Sequence, residues 1–270
     1  MSADSKRNTY LARLDIGSNA SGMSELVYYD LKDTANVRLS LPAQMAREMG
    51  RRIVAGTFEP GELIDDENSL AERYSVSRVV VREAVKILVE KGMLSVRRGV
   101  GTHVRTRNNW KLLDDDVMAW HLSAPPRRDF LAQLAEIRLA IEPKAARWAA
   151  ERATEEDIQS IQLACDRMAE EQGSTERFII ADALFHKAIL RAAHNEFLAA
   201  IEGVTYSALL ISVRITNKDP RENGASIPFH RDLANAIEER DPDKAEKLTS
   251  KLLEDAVRRL RLELGEDPVL

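Results

Sequence analysis

Asp182 and His186 stand four residues apart in Ala181-Asp-Ala-Leu-Phe-His186-Lys-Ala-Ile-Leu190, a spacing that one helical turn brings onto a single face. A carboxylate and an imidazole stacked this way can chelate one divalent ion, and apolar neighbours at Leu184, Phe185, Ile189 and Leu190 direct the pair inward. His230, in Pro228-Phe-His-Arg231, opens a later helix and offers a third ligand. One oxygen and two nitrogens with no thiolate suit zinc, nickel or manganese. The same cluster admits an alternative reading as the centre of a metal-dependent enzyme, which would also need an open coordination position and an independent general base. No HExxH, GxSxG, Walker or dinucleotide fingerprint accompanies it.

A second group of residues carries a different chemistry. Arg78 and Arg82 are also four apart and share one helix face, while Val81, Ala84, Val85 and Leu88 occupy the opposite one. An arginine fork on an exposed helix matches guanine O6 and N7 in the major groove, and Ser77 is placed to cap the helix and meet phosphate. Downstream, Arg98-Gly99 sets a cation on a turn whose glycine permits close backbone approach, as a minor-groove or phosphate contact requires.

The elements that must hold these groups follow from periodicity. Leu41, Met45, Met49, Ile53 and Val54 predict a helix over 41–55, stopped by Gly56-Thr-Phe-Glu-Pro-Gly61. A short helix follows over 67–74, opened by Asp65 or Asp66, then a third capped by Ser77 and ending near Lys91. The β-prone strings Met93–Val96 and Thr102–Val104 read as a hairpin. Three helices and a hairpin make a winged helix-turn-helix over 41–106. Residues 107–125 read as a linker with a short docking helix. Beyond them the pattern is helical throughout: about 127–152, 155–172, 174–193, 196–217, 226–239 and 242–263, with a capping box at Thr154-Glu-Glu-Asp157 and an offset expected at Pro143. The fold class is mainly α, a winged module followed by an all-α bundle over 126–264 with interior space for a ligand. Residues 1–40 show no sustained period and read as a flexible or only locally ordered extension, and 265–270 as a tail.

Composition agrees with this division. The 270 residues carry a net charge of −5, which taken alone argues against nucleic acid. Residues 41–110 hold 12 basic and 9 acidic side chains, a local excess of +3, so the remainder carries −8. A basic module on an acidic body is the asymmetry of a DNA-binding domain joined to another function. The single Cys165 excludes a disulfide framework and a multi-thiolate zinc site and fits a reducing, cytoplasmic setting. No apolar run approaches a membrane span, and Met1–Leu11 lacks the apolar core of a secretory signal.

The strings Gly56-Thr-Phe-Glu-Pro-Gly61-Glu-Leu-Ile64, Leu70-Ala71-Glu-Arg-Tyr-Ser-Val76-Ser77-Arg78, Val81-Arg82-Glu83-Ala84 and Lys91-Gly92-Met-Leu followed by Gly99-Val-Gly101-Thr resemble the DNA-binding domain of the GntR family of bacterial regulators. The resemblance covers about residues 41–106 and implies DNA contacts at Ser77, Arg78, Arg82, Arg98 and Gly99. The family usually has proline and arginine where this chain has Asp65 and Asn68, so Asn68 stands as a weaker substitute for one expected contact. Residues 110–263, with Glu136-Ile-Arg138-Leu-Ala-Ile-Glu142-Pro143 and Ala236-Ile-Glu-Glu-Arg-Asp241, resemble the FCD ligand-binding domain of the FadR subfamily. Members often hold metal through an aspartate and three histidines; here leucine stands near the third histidine position, leaving Asp182, His186 and His230. Within that subfamily the chain resembles the repressors of galactonate and other sugar-acid operons. This implies a homodimer that binds operator DNA and is released by a small carboxylate effector, with Arg138, Ser212 and Thr216 as the effector-reading residues.

Overall fold

The computed structural model describes residues 25, 27–29, 31, 32, 39–125, 127–216, 220–263 and 265, with 212–214, 216 and 220–222 described as backbone. Helix α1 (Leu41–Val54) opens at Ser40, whose side chain accepts the Ala43 amide, and Pro42 lies in the first turn, where its missing N–H is not needed. Met45, Met49 and Ile53 form its buried stripe. Helix α2 (Glu67–Tyr74) is capped by Asp66, which accepts from the amides of Asn68 and Ser69, and ends at Ser75 in the left-handed region. Helix α3 (Arg78–Glu90) is capped by Ser77 and buries Val81, Ala84 and Leu88 against α1, whereas Val85 is only partly buried.

Strands β1 (Leu94–Arg97) and β2 (Gly101–Val104) pair antiparallel, with Leu94 opposite Val104 and Arg97 opposite Gly101. The first strand therefore sits one residue later than the β-prone string indicates, because the Met93 amide donates to Leu88 O at the end of α3. The loop before α2 extends the hairpin: the Ile64 amide donates to Thr102 O and the Val104 amide to Glu62 O. Complete burial of one side chain such as Leu88 contributes roughly 1.5–3 kcal/mol, and this small module holds a dozen comparable groups around Trp110 and Trp120.

Trp120 belongs to helix α4 (Asp115–Ser123), the docking helix, and its ring fills the space a side chain at Gly50 of α1 would need. The bundle comprises α5 (Arg128–Arg152), α6 (Glu155–Glu170), α7 (Thr175–Ala192), α8 (Glu196–Ala200), α9 (Glu202–Thr216), α10 (Ile227–Glu238) and α11 (Pro242–Glu263). Helix α5 runs along α11, and α7 packs against α6, α9 and α5. The capping box at Thr154 and Asp157 is formed as the sequence indicates. Helix α5 continues through Pro143, although that residue supplies no N–H to the preceding turn. The single helix expected over 196–217 is two, broken at Ile201, with the weak helix former Gly203 just beyond the break.

The larger difference concerns the extension. Residues 25, 27–29 and 31 are helical, and Glu25, Val27, Tyr28 and Leu31 are buried. This part is no free arm. Its apolar spacing is helical, but over too few residues to register as a period. Residues 1–24 and 33–38 of the extension and 266–270 of the tail lie outside the described residues.

His121 marks the junction of α4 with the bundle. Its ring stacks on Phe130 of α5 with centroids 4.4 Å apart, and Nδ1 lies 2.7 Å from Val117 O. A carbonyl only accepts, so Nδ1 carries the proton and Nε2 is left as a buried lone pair without a partner among the described residues. Burial pushes the imidazole down from 6.5 to about 4. The neutral ring is therefore favoured in the fold, so its contribution is complete above pH 6.5 and is lost as pH falls toward 4, at about 1.4 kcal/mol per unit. In urea unfolding followed across this range, His121→Phe should flatten that part of the stability profile; an unchanged slope would show that His121 is not its source.

Candidate functional site

The arginines of α3 are exposed on the face opposite its buried stripe, Arg78 and Arg82 with 57% and 54% of their side chains open to solvent. They are not independent. Glu67, the first residue of α2, accepts from Arg82 Nε with both carboxylate oxygens at 2.9 and 2.8 Å, and Arg78 Nη2 lies 3.5 Å from the same group. These charge-assisted contacts hold the Glu67 carboxyl below its usual range. Only Nε of Arg82 is engaged, so its terminal nitrogens make no hydrogen bond among the described residues. Asn68 follows Glu67 and is exposed, as are Ser77, Arg98 and Gly99. Gly99, at φ 75°, forms the turn of the hairpin, a conformation that favours glycine. The structure joins Arg78 and Arg82 at Glu67, a residue not singled out from sequence because its partners lie 11 and 15 positions away; no described contact links Arg98 or Gly99 to them.

A second site lies inside the bundle. Asp182 and His186 come from α7 and His230 from the first turn of α10, and all three are buried. Their ligand atoms lie within 4.8 Å of one another. His186 Nε2 is 3.6 Å and His230 Nε2 is 3.1 Å from Asp182 Oδ1. The opposite nitrogen of each ring is held from behind. His186 Nδ1 lies 2.8 Å from Glu142 Oε2, and His230 Nδ1 lies 2.8 Å from the carbonyl of Ser226. Both partners act as acceptors, so each ring carries a proton on Nδ1 and faces Asp182 with Nε2. Asp182 Oδ1 is buried and accepts no well-directed hydrogen bond, despite the proximity of His230. One carboxylate oxygen and two imidazole nitrogens brought together in this way form a donor set that fits a divalent metal.

Glu142 of α5 anchors this arrangement. Besides His186 it receives Arg138 Nε at 2.6 Å and Thr205 Oγ1 of α9 at 3.2 Å, and it is 3% exposed. Burial would raise its pKa, but Arg138 and His186 outweigh that and hold it well below the usual carboxylate range. Burial likewise raises Asp182, and the adjoining histidines and Arg138 bring it below its ordinary value. Arg138, expected to meet an effector, is thus spent largely on Glu142, and it borders a narrow apolar recess with Leu253 and Leu260. Ser212 and Thr216 lie on α9, but their side chains fall outside the described residues. His194 pairs with Asp157 at 2.8 Å and takes no part in the cluster. Glu142 and Thr205 were absent from the expected site; the i, i+4 spacing of Arg138 and Glu142 was the one signal available for the former.

A winged module with an exposed two-arginine helix, carried on a helical body with a buried acid and histidine cluster, defines a DNA-binding transcriptional regulator. Residues 41–104 match the family described as bacterial regulatory proteins, gntR family, and residues 133–255 match the FCD domain. The chain is 33% identical to the galactonate operon transcriptional repressor of Escherichia coli K12 over 79% of this chain and 93% of that one. It is 28% identical to the transcriptional repressor NanR of Enterobacter sp. strain 638, over 86% and 90%. Among solved structures it is similar to Lar, which controls expression of the agr system of Listeria monocytogenes, at 16% identity and a TM-score of 0.55, covering 84% of this chain and 99% of that one. The chain belongs to the GntR family of bacterial transcriptional regulators, in the group that carries an FCD domain. The matched families and relatives are regulators of transcription, so the enzyme alternative has no support. No helix among the described residues is long and apolar enough to cross a membrane.

The network around Glu142 has a measurable consequence. Glu142→Gln retains the shape but leaves Arg138 buried without its counter-charge, and should lower stability to urea by about 3–5 kcal/mol at neutral pH. Because Glu142 and Asp182 are held below their ordinary values, the stabilisation they provide is present above the usual carboxylate pKa and declines as pH falls through the depressed one. The acid-side decline should be shallower in the variant.

Proposed function

We propose that the protein is a homodimeric repressor of a sugar-acid or related carboxylate catabolic operon, released from its operator by a small carboxylate effector such as a galactonate-like sugar acid. In this reading residues 41–106 bind operator DNA in the cytoplasm, 107–125 link the modules, and 126–264 bind the effector and dimerise. Arg78 and Arg82 read base edges, Ser77 and Asn68 meet the adjoining backbone or bases, and Arg98 with Gly99 contacts DNA from the wing. The observation that carries the reading is the exposed Arg82, engaged only through Nε, on a helix whose other face buries Val81, Ala84 and Leu88. Similarity to the galactonate operon repressor and to NanR supports a repressor of this kind.

Asp182, His186 and His230 would hold zinc, nickel or manganese. A bound divalent ion would supply a positive centre for a carboxylate effector. Glu142 and Ser226 O orient the two imidazoles, while Arg138 adds positive charge alongside. An effector that favours one arrangement of the two winged modules by a few kcal/mol is sufficient to release DNA.

Fluorescence anisotropy with the operator and with random DNA, in the presence and absence of a sugar-acid panel, tests the main reading. Arg82→Ala should lose roughly 5- to 150-fold in discrimination between the two duplexes, the loss of about 1–3 kcal/mol. A native protein with no preference for any operator sinks the proposal. For the metal, zinc, nickel or manganese should raise the melting temperature of the native chain and leave Asp182→Ala unmoved. Equal shifts in both proteins would remove Asp182 from the ligand set.

A further inference from the structure

We infer that the segment carrying Glu25, Val27, Tyr28, Tyr29, Leu31 and Lys32 is a strap that fixes the orientation of the winged module on the helical body, and that Glu25 is its positioning residue. Glu25 is completely buried, and its carboxylate accepts from Arg47 Nε at 2.6 Å, Arg51 Nε at 2.7 Å, Arg51 Nη2, and Ser123 Oγ at 2.7 Å. Arg47 and Arg51 lie one turn apart on α1, and Ser123 closes α4. One carboxylate therefore grips the first helix of the winged module and the end of the docking helix together.

The rest of the strap engages the other end of α4 and the body. Tyr28 donates its hydroxyl to Asp115 at 2.9 Å and Tyr29 to Asp116 at 2.7 Å, both at the start of α4. Burial, then the neighbouring aspartates, hold both phenols protonated far above their usual range, so they remain donors at any physiological pH. Lys187 Nζ of α7 donates to Leu31 O at 2.5 Å, and Lys32 lies 3.7 Å from Glu202, the first residue of α9. Val27, Tyr28 and Leu31 join an apolar cluster with Met118, Leu122 and Leu209. A β-carbon at Gly203 would run into the Tyr28 hydroxyl, so α9 is shaped to admit the strap.

Apart from the strap, α4 meets the winged module through Val117 and Trp120 in its core and through Lys91, which pairs with Asp114 and Asp116. Those contacts involve the first part of α4 and its middle. Glu25 ties the far end, at Ser123, to Arg47 and Arg51 of α1, and so adds a restraint that the others do not supply. The strap lies outside both matched family segments, 41–104 and 133–255.

Pulsed electron paramagnetic resonance on the full chain tests the strap directly. Spin labels are placed at the exposed positions Val100 in the wing and Leu163 on α6, leaving buried Cys165 untouched and diluting with unlabelled protein. The native chain should give one narrow distance distribution. Glu25→Ala, Glu25→Gln and a chain shortened by its first 32 residues should each broaden it. If the shortened chain fails to fold, Glu25→Gln, which conserves side-chain volume, decides the matter. A folded Glu25→Gln protein with the native distribution overturns the inference.

A second readout rests on the operator reading above. Glu25→Ala should lose roughly tenfold in affinity for a duplex with two half-sites, through lost preorganisation, and stay within about twofold of native on a single half-site. Equal losses on both duplexes would assign Glu25 a merely structural role. A native chain without sequence preference would sink the operator reading, while the distance distributions would still judge the strap.

Discussion

The carboxylate of Glu142 sits where three helices meet, and the interior of the bundle is arranged around keeping it charged. Arg138 reaches it from one turn away on α5, His186 from α7 and Thr205 from α9. Removing a carboxylate and a guanidinium from water costs several kcal/mol per ion, so the pair gives little net stability by itself. What it does give is direction. An ionised Glu142 obliges His186 to donate through Nδ1, and that choice turns Nε2 toward Asp182. The tautomer of one ring, and with it the character of the Asp182 cluster, is fixed by a residue that is not part of the cluster. A neutral side chain at 142 would leave the imidazole free to adopt either tautomer and Arg138 without a reason to stay inside.

The same helices face the junction with the winged module. Helix α9 receives the Tyr28 hydroxyl at Gly203, two residues before Thr205, and α7 places Lys187 on Leu31 O one residue after His186. Residues that hold the cluster and residues that hold the strap are thus chain neighbours on two helices. Packed helices shift as rigid units more readily than they bend. A rearrangement at His186 or Thr205 that moved either helix would be felt at the strap, and from there at Arg47 and Arg51 of α1. The two places in the molecule thus share two helices, α7 and α9.

Much of this was legible in the chain, and the parts that were not share a cause. The winged module, its caps at Asp66 and Ser77 and the inward face of α3 follow from local rules, since a cap or an amphipathic stripe is decided within a few residues. Asp182, His186 and His230 were legible because i, i+4 spacing and residue type carry the chemistry. Glu142 was readable only as an acid four residues beyond Arg138, and nothing local says that it turns inward to meet a histidine 44 positions away. Glu25 lies 22 and 26 positions from its arginines and 98 from Ser123. Its surroundings in sequence are polar, and a helical stretch this short leaves no period to detect. Tertiary pairing of charged groups is the information that a linear pattern does not hold.

The balance of charge on the DNA-facing side leads to a further point about recognition. Asp65, Asp66 and Glu67 cluster at the start of α2, where the helix dipole favours them. Such a cluster lies close to the arginines of α3 and would repel phosphate if left unanswered. Glu67 is answered by Arg82 and Arg78, and Asp65 by Arg73 at 2.5 Å. The excess of +3 over residues 41–110 already includes those pairs, and it is lowered further by acids from outside the module, since Glu25 takes up Arg47 and Arg51 and Asp114 and Asp116 take up Lys91. Attraction to phosphate grows with the number of unpaired cations, whereas discrimination between bases depends on where a fork points. Pairing Arg82 through Nε gives up some of the first and leaves both terminal nitrogens without a hydrogen bond among the described residues, open to a base edge. On the proposed assignment of this face to DNA, with Asn68 in place of another long cation beside it, the surface is better suited to choosing a sequence than to holding DNA indiscriminately.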